Sequence, residues 1–187
     1  MDPLTLFHTG CGIASLFFGG VVIGMRKGTL PHRVAGWLYA GAMLLLCLTS
    51  FWIYELFDSF GPFHACAIVS LMSVIGGMCA PLFRPWIGKA WLEMHYKFML
   101  WSYVGLVMAT GSHFFEPLVP LLHKSTPLST TGSVLATALL CWVAPAAIGG
   151  TLIYRRKDGI FKHVRARIAP ESSGVRVDQE GRTDLVK

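Results

Sequence analysis

Residues 4–25 read LTLFHTGCGIASLFFGGVVIGM, a run without a single Asp, Glu, Lys or Arg. A bilayer's hydrocarbon core of about 30 Å asks about 20 apolar residues of a crossing helix, and this run is long enough. Backbone amides in lipid must bond within their own segment unless a barrel closes, and nothing in the run alternates with period two. The run therefore reads as a transmembrane helix, and the rest of the chain can be tested against that pattern.

Four more segments repeat it, over residues 34–57, 64–83, 95–115 and 133–154. Turn-forming or charged connections separate them: RKGTLPHR, DSFGP, RPWIGKAWLEM and EPLVPLLHKSTPLSTTG. Across the 187 residues 53% are hydrophobic and 14% charged, with the charges bunched between the runs. The expected fold is an all-α, polytopic transmembrane helix bundle of five spans with a four-helix core, occupying residues 1–158. From residue 159 the chain turns polar and has too few apolar positions to pack, so 159–187 is expected to be a disordered cytoplasmic tail. Pro145, in WVAPAAIGG, is expected to kink the fifth span and free a carbonyl.

Lys and Arg set the orientation. Arg26, Lys27, Arg33, Arg84, Lys89, Lys97 and the start of the tail at Arg155, Arg156 and Lys157 all fall on one side. The other side carries Asp2, Glu55, Asp58 and Glu116 against Lys124. The pattern places the amino terminus outside and the carboxyl terminus in the cytoplasm of a bacterial inner membrane. The net charge of +6 is then chiefly a topology signal, with attraction to anionic lipid added by the tail. It does not read as nucleic-acid binding.

Five cysteines, Cys11, Cys47, Cys66, Cys79 and Cys141, lie in or beside the apolar runs without a paired motif. They read as small packing residues, with a disulfide open only for Cys11 and Cys66 near the outer face. No Ser-His-Asp arrangement or phosphate loop is present, and no catalytic residue is assigned.

The histidines carry the chemistry. The segment HYKFMLWSYVGLVMATGSH, His95 to His113, has an imidazole at each border, about five turns and roughly 27 Å apart. His8, His64 and His113 fall near the outer face; His32 and His95 fall near the inner one. Ionisable groups in spans are costly and mark sites or paths. A set at each face suits two b-type haems, each iron taking axial nitrogen from two helices. The pairing this suggests is His32 with His95 and His8 with His64. His113, Arg33 and Lys97 would be auxiliaries, the two cations as propionate partners. Each residue also has a plainer reading: interfacial histidines satisfied by neighbours, and snorkelling cations.

Small residues share these faces: Gly12, Ser15 and Gly19 follow His8, and Gly36 follows His32, with Tyr39 one turn further on. They admit either a flat cofactor or a close helix. Three function classes stay open. One is haem-based electron transfer, with electrons from a quinone or redox partner protein, since no nicotinamide or flavin fingerprint exists. The second is a metal- or proton-coupled transporter, with an outer donor set of His8, Cys11, His64, Cys66 and His113. The third is a non-catalytic membrane subunit or assembly factor whose histidines bond to adjacent helices.

The blocks LFHTGCGIASLFFGG, LPHRVAGWLYAGAMLL, GPFH and MHYKFMLWSYVGLVMA resemble a bacterial family of multi-pass membrane proteins, domain of unknown function family 2306. The resemblance covers about residues 4–113 and is carried by His32, Arg33, Gly36 and Tyr39, then His95, Met99, Ser102 and Tyr103. The family's pattern implies an arginine near the end of the fourth span, where this chain has His113. The fifth span and tail lie outside the resemblance. The four-helix core with histidines at both faces is more distantly similar to di-haem cytochrome b and ferric-reductase type transmembrane proteins.

Overall fold

The computed structural model describes residues 2–53, 62–172, 175–177 and 183–185, with side chains placed for 2–53, 63–162 and 164–165. Glu55, Asp58 and the rest of the DSFGP turn before Pro62 lie outside the described residues, as does the side chain of His163.

Capping chemistry explains where the helices begin. Helix α1 (Pro3–Gly24) starts after Asp2, whose carboxylate accepts the Thr5 amide at 2.6 Å. Gly28, at φ +77°, turns the chain, and the Thr29 hydroxyl accepts the His32 amide at 3.3 Å. That cap, with Pro31 in the first turn, starts α2 (Leu30–Ser50) four residues earlier than the hydropathy pattern suggests. Helix α3 (Pro62–Leu82) follows, then a short α4 (Arg84–Ile87) and a 3₁₀ turn (Gly88–Ala90) where a plain loop was expected. Helix α5 (Trp91–Ser112) ends one residue before His113, which is its C-cap.

The following connection, expected to be irregular, contains α6 (Phe115–Ser125). The fifth span is built from α7 (Thr130–Ala138), a π turn (Leu139–Val143) and α8 (Ala144–Ser172). The π turn sits where Pro145 is expected to disturb the ladder: the Ala144 amide reaches back five residues to the Leu139 carbonyl. Helix α8 runs past residue 159, and the tail ends in an antiparallel pair, β1 (Val175–Val177) and β2 (Thr183–Leu185). The chain forms two compact units, Met1–Leu152 and Ile153–Lys187. In the second, Lys157 and Arg165 lie over the Phe161 ring, at 5.7 and 5.9 Å.

In the first unit α1 packs on α2, α2 on α3, α3 on α5, and α5 back on α1. This is a closed four-helix ring with α2 diagonal to α5 and α1 diagonal to α3. Tyr39, Met43, Cys47, Val74 and Leu106 fill its centre. Large apolar side chains such as Leu6, Phe17, Trp37 and Val69 point outward, as lipid-facing residues must.

Among the described residues, four stretches are long and apolar enough to cross a membrane: Pro3–Gly24, Leu30–Ser50, Phe63–Leu82 and Thr130–Lys162. Helix α5, expected as the fourth of five spans, has the length, 22 residues, but is not among the four. Its first turns carry Glu93, His95 and Lys97, which lower its hydropathy. Several of its polar groups bond to other helices inside the ring: Ser102 to Tyr39, Tyr103 to the Leu16 carbonyl and His95 to the Gly77 carbonyl. A helix sheltered in this way need not be apolar throughout.

Candidate functional site

The alternating helix directions gather the histidines at two ends of the ring: the end where α1 begins, and the end holding the α1–α2 turn. At the turn end, His95 stands in the second turn of α5 with its Nδ1 2.7 Å from the Gly77 carbonyl oxygen on α3. A carbonyl only accepts, so Nδ1 carries the proton and Nε2 keeps the lone pair. That carbonyl is available because Pro81, four residues further along α3, has no amide hydrogen to give it.

His32, in the first turn of α2, has an Nδ1 buried without a hydrogen-bond partner among the described residues. Such an orphan costs about 1–3 kcal/mol and asks for an explanation. His95 and Lys27 are both within electrostatic reach of His32. Lys27 Nζ donates to the Val22 and Ile23 carbonyls, each at 2.7 Å, capping the end of α1. Burial pulls the Lys27 ammonium below the usual lysine range.

The two cations expected as auxiliaries are placed differently. Arg33 is exposed, and Lys97 pairs with Glu93 at 2.8 Å. Lys27, partly buried and within electrostatic reach of His32, is a cation that the sequence did not single out for this end. Its only signal was its place in a short loop with a flexible glycine, five residues before His32.

At the opposite end, His8 Nδ1 lies 2.9 Å from Thr49 Oγ1. The Thr49 hydroxyl spends its own proton on the Leu45 and Leu46 carbonyls, at 2.8 and 3.0 Å, so it accepts from His8. His8 is thus also protonated on Nδ1, with Nε2 basic. His113 is exposed and within electrostatic reach of His8. His64 is buried, its ring centroid 6.3 Å from that of Phe51. His123 lies in α6, with Nδ1 at 3.1 Å from the Leu128 carbonyl.

The outer set of His8, Cys11, His64, Cys66 and His113 is not assembled. Among the described residues no three of His, Cys, Asp and Glu are grouped to hold a metal ion. Cys11 is buried while Cys66 is exposed, and all five cysteines are free. The disulfide left open for Cys11 and Cys66 is therefore absent.

For haem, the donor chemistry fits: His95 and His8 each have Nδ1 anchored and Nε2 available, the arrangement seen in metal-binding imidazoles. The small-residue stripe of α1 does not serve as a slot for a macrocycle. A side-chain carbon on Gly19 would fall onto the Tyr103 ring and 2.9 Å from Tyr39, and one on Gly12 would meet Leu46 at 3.6 Å. The stripe is filled by neighbouring helices. A groove of about 460 Å³ runs along α5 beside Glu93, Met94, Lys97, Phe98 and Trp101, on a different face from His95.

The chain belongs to the family of predicted membrane proteins DUF2306, whose model matches residues 5–153. The match reaches beyond residue 113 and takes in nearly all of the fifth span. No curated protein and no solved structure gives a match.

Proposed function

We propose that this membrane protein is a b-type haem-binding electron carrier with a histidine site at each end of its helical ring. At the turn end the residues that would hold the haem are His32 and His95. The observation that carries this reading is the state of those two rings. His95 is anchored through Nδ1 with Nε2 left basic, and His32, within its electrostatic reach on the diagonal helix, keeps a buried ring nitrogen with no hydrogen-bond partner among the described residues. Lys27, rather than Arg33 or Lys97, is placed to neutralise a propionate there.

At the other end the ligands come from His8, His64 and His113. His8 supplies Nε2, and His113 is the imidazole within its reach. A bound haem supplies one-electron iron chemistry; the protein's share is ligation, orientation and exclusion of water. A quinone or a redox partner protein delivers the electrons. The crowding of Arg26, Lys27, Arg33, Arg84 and Lys89 at the turn end supports a cytoplasmic placement of that end in a bacterial inner membrane.

A second reading has an observation of its own. His8 and His95 both bond to an adjacent helix, which is what histidines of a purely structural membrane subunit would do. It leaves the buried nitrogen of His32 unexplained.

The test is a dithionite-reduced minus oxidised spectrum of protein purified in detergent from haem-supplemented cells. Sharp b-type bands are expected, with one part lost in His95→Ala and a different part in His8→Ala. A featureless spectrum from folded protein refutes the haem reading and leaves the structural one.

A further inference from the structure

Prolines inside helices leave carbonyls without their intrahelical donor, and this chain has two instructive cases. Pro145 releases the Cys141 carbonyl, and there the fifth span adapts by a π turn. Pro81 releases the Gly77 carbonyl, and α3 remains helical through Leu82. The difference is what fills the vacancy. At Gly77 the donor is the imidazole Nδ1–H of His95 from another helix, at 2.7 Å.

The approach is built on both sides. Gly77 is buried, and a side-chain carbon there would lie 2.6 Å from Met99 Sδ and 3.3 Å from the Met99 amide nitrogen. Met99 is one turn beyond His95, so the glycine lets α5 come close enough for the ring to reach the carbonyl. A helix carbonyl already bonded in its ladder is a poorer target for a second donor. The proline gives this one an unfilled position.

We infer that Pro81 is a positioning residue for His95: by withholding its amide hydrogen it fixes the imidazole as the Nδ1–H tautomer and presents Nε2 as the ring's basic nitrogen. The inference concerns the ring's tautomer in the protein without any cofactor. It gives the haem reading the nitrogen it needs, yet stands or falls separately from it.

The experiment is ¹⁵N-histidine NMR of the full chain in detergent, prepared without added haem, with the His95 signals identified by their loss in His95→Gln. Measured above the ring's own protonation range, the wild type is expected to give a single Nδ1–H tautomer at His95. Pro81→Ala restores an amide hydrogen to the Gly77 carbonyl and is expected to convert that signal to a mixture of tautomers. Pro145→Ala, which also removes a helix proline, is expected to leave His95 unchanged.

An Nε2–H tautomer in the wild type overturns the inference with no variant needed. So does a pure Nδ1–H tautomer in folded Pro81→Ala, or an equal response to Pro145→Ala. A positive result together with a featureless haem spectrum would keep the positioning role and remove the haem.

Discussion

Gly19 distinguishes a packed stripe from a cofactor slot. Replacing it with alanine adds one carbon, which would overlap the Tyr103 ring, within 2.5 Å of its Cε2, and lie 2.9 Å from Tyr39 Cε2. Neither ring has easy room to retreat: Tyr39 is 2% exposed, and Tyr103 reaches the Leu16 carbonyl through its hydroxyl at 3.3 Å. Overpacking of this kind costs about 1–3 kcal/mol, and the rigid aromatic partners place Gly19→Ala near the upper end. The alanine recovers about 1 kcal/mol of helix propensity, leaving a net loss of about 2 kcal/mol. Gly36→Ala is the matched control, because a carbon there meets nothing within 4 Å. It should keep the propensity gain and be about 1 kcal/mol more stable than the parent. Unfolding of both variants in mixed micelles, followed by tryptophan fluorescence, measures the difference. If Gly19→Ala proves as stable as Gly36→Ala, α1 is not packed on the two tyrosines, and the face is open enough to hold something else.

Two further outcomes follow from single side chains. Ser102 gives its proton to the Met99 carbonyl at 2.8 Å, so the Tyr39 hydroxyl donates to Ser102, also at 2.8 Å. Tyr39→Phe removes one bond and should cost about 1 kcal/mol or less, whereas Ser102→Ala leaves a buried tyrosine hydroxyl unpaired and should cost about 1–3 kcal/mol; equal losses in the same unfolding assay would contradict the assigned donor. Lys27 is held below its ordinary value of 10.5 by burial, so the unfolded chain binds its proton more tightly. Stability should therefore rise with pH between the depressed folded value and 10.5, and Lys27→Met should remove that slope from unfolding measured across alkaline pH.

Much of the fold was legible because lipid imposes so strict a rule on the backbone. Uncharged runs of the required length read as helices, and the bounds of α1, α3 and α5 came within four residues, whereas α2 ends at Ser50 and not at residue 57, and α8 runs on to Ser172 and not to 154. Where capping chemistry set the boundary, as at Thr29, the apolar pattern misplaced it. The α6 helix was missed because Pro117 and Pro120 read as loop residues, although both are accommodated in an 11-residue helix. The grouping of His32 with His95 at one end was readable from depth along the spans. Lateral arrangement was not: the partial burial of Lys27 near His32, His113 within electrostatic reach of His8, and the separation of Cys11 from Cys66 all depend on which way each helix faces.

The sequence by itself determined that this is a helical membrane protein, where four of the five expected spans lie, and toward which end of the bundle His8, His32 and His95 fall. Those are consequences of solvent and of chain length, and they need no knowledge of neighbours. Only the tertiary structure decided that the small-residue stripe is packing, because that depends on the Tyr103 and Tyr39 rings lying against Gly19. It alone decided that His95 carries its proton on Nδ1. Pro81 and His95 lie on different helices, and nothing along the chain indicates that the carbonyl released by one would meet the ring of the other.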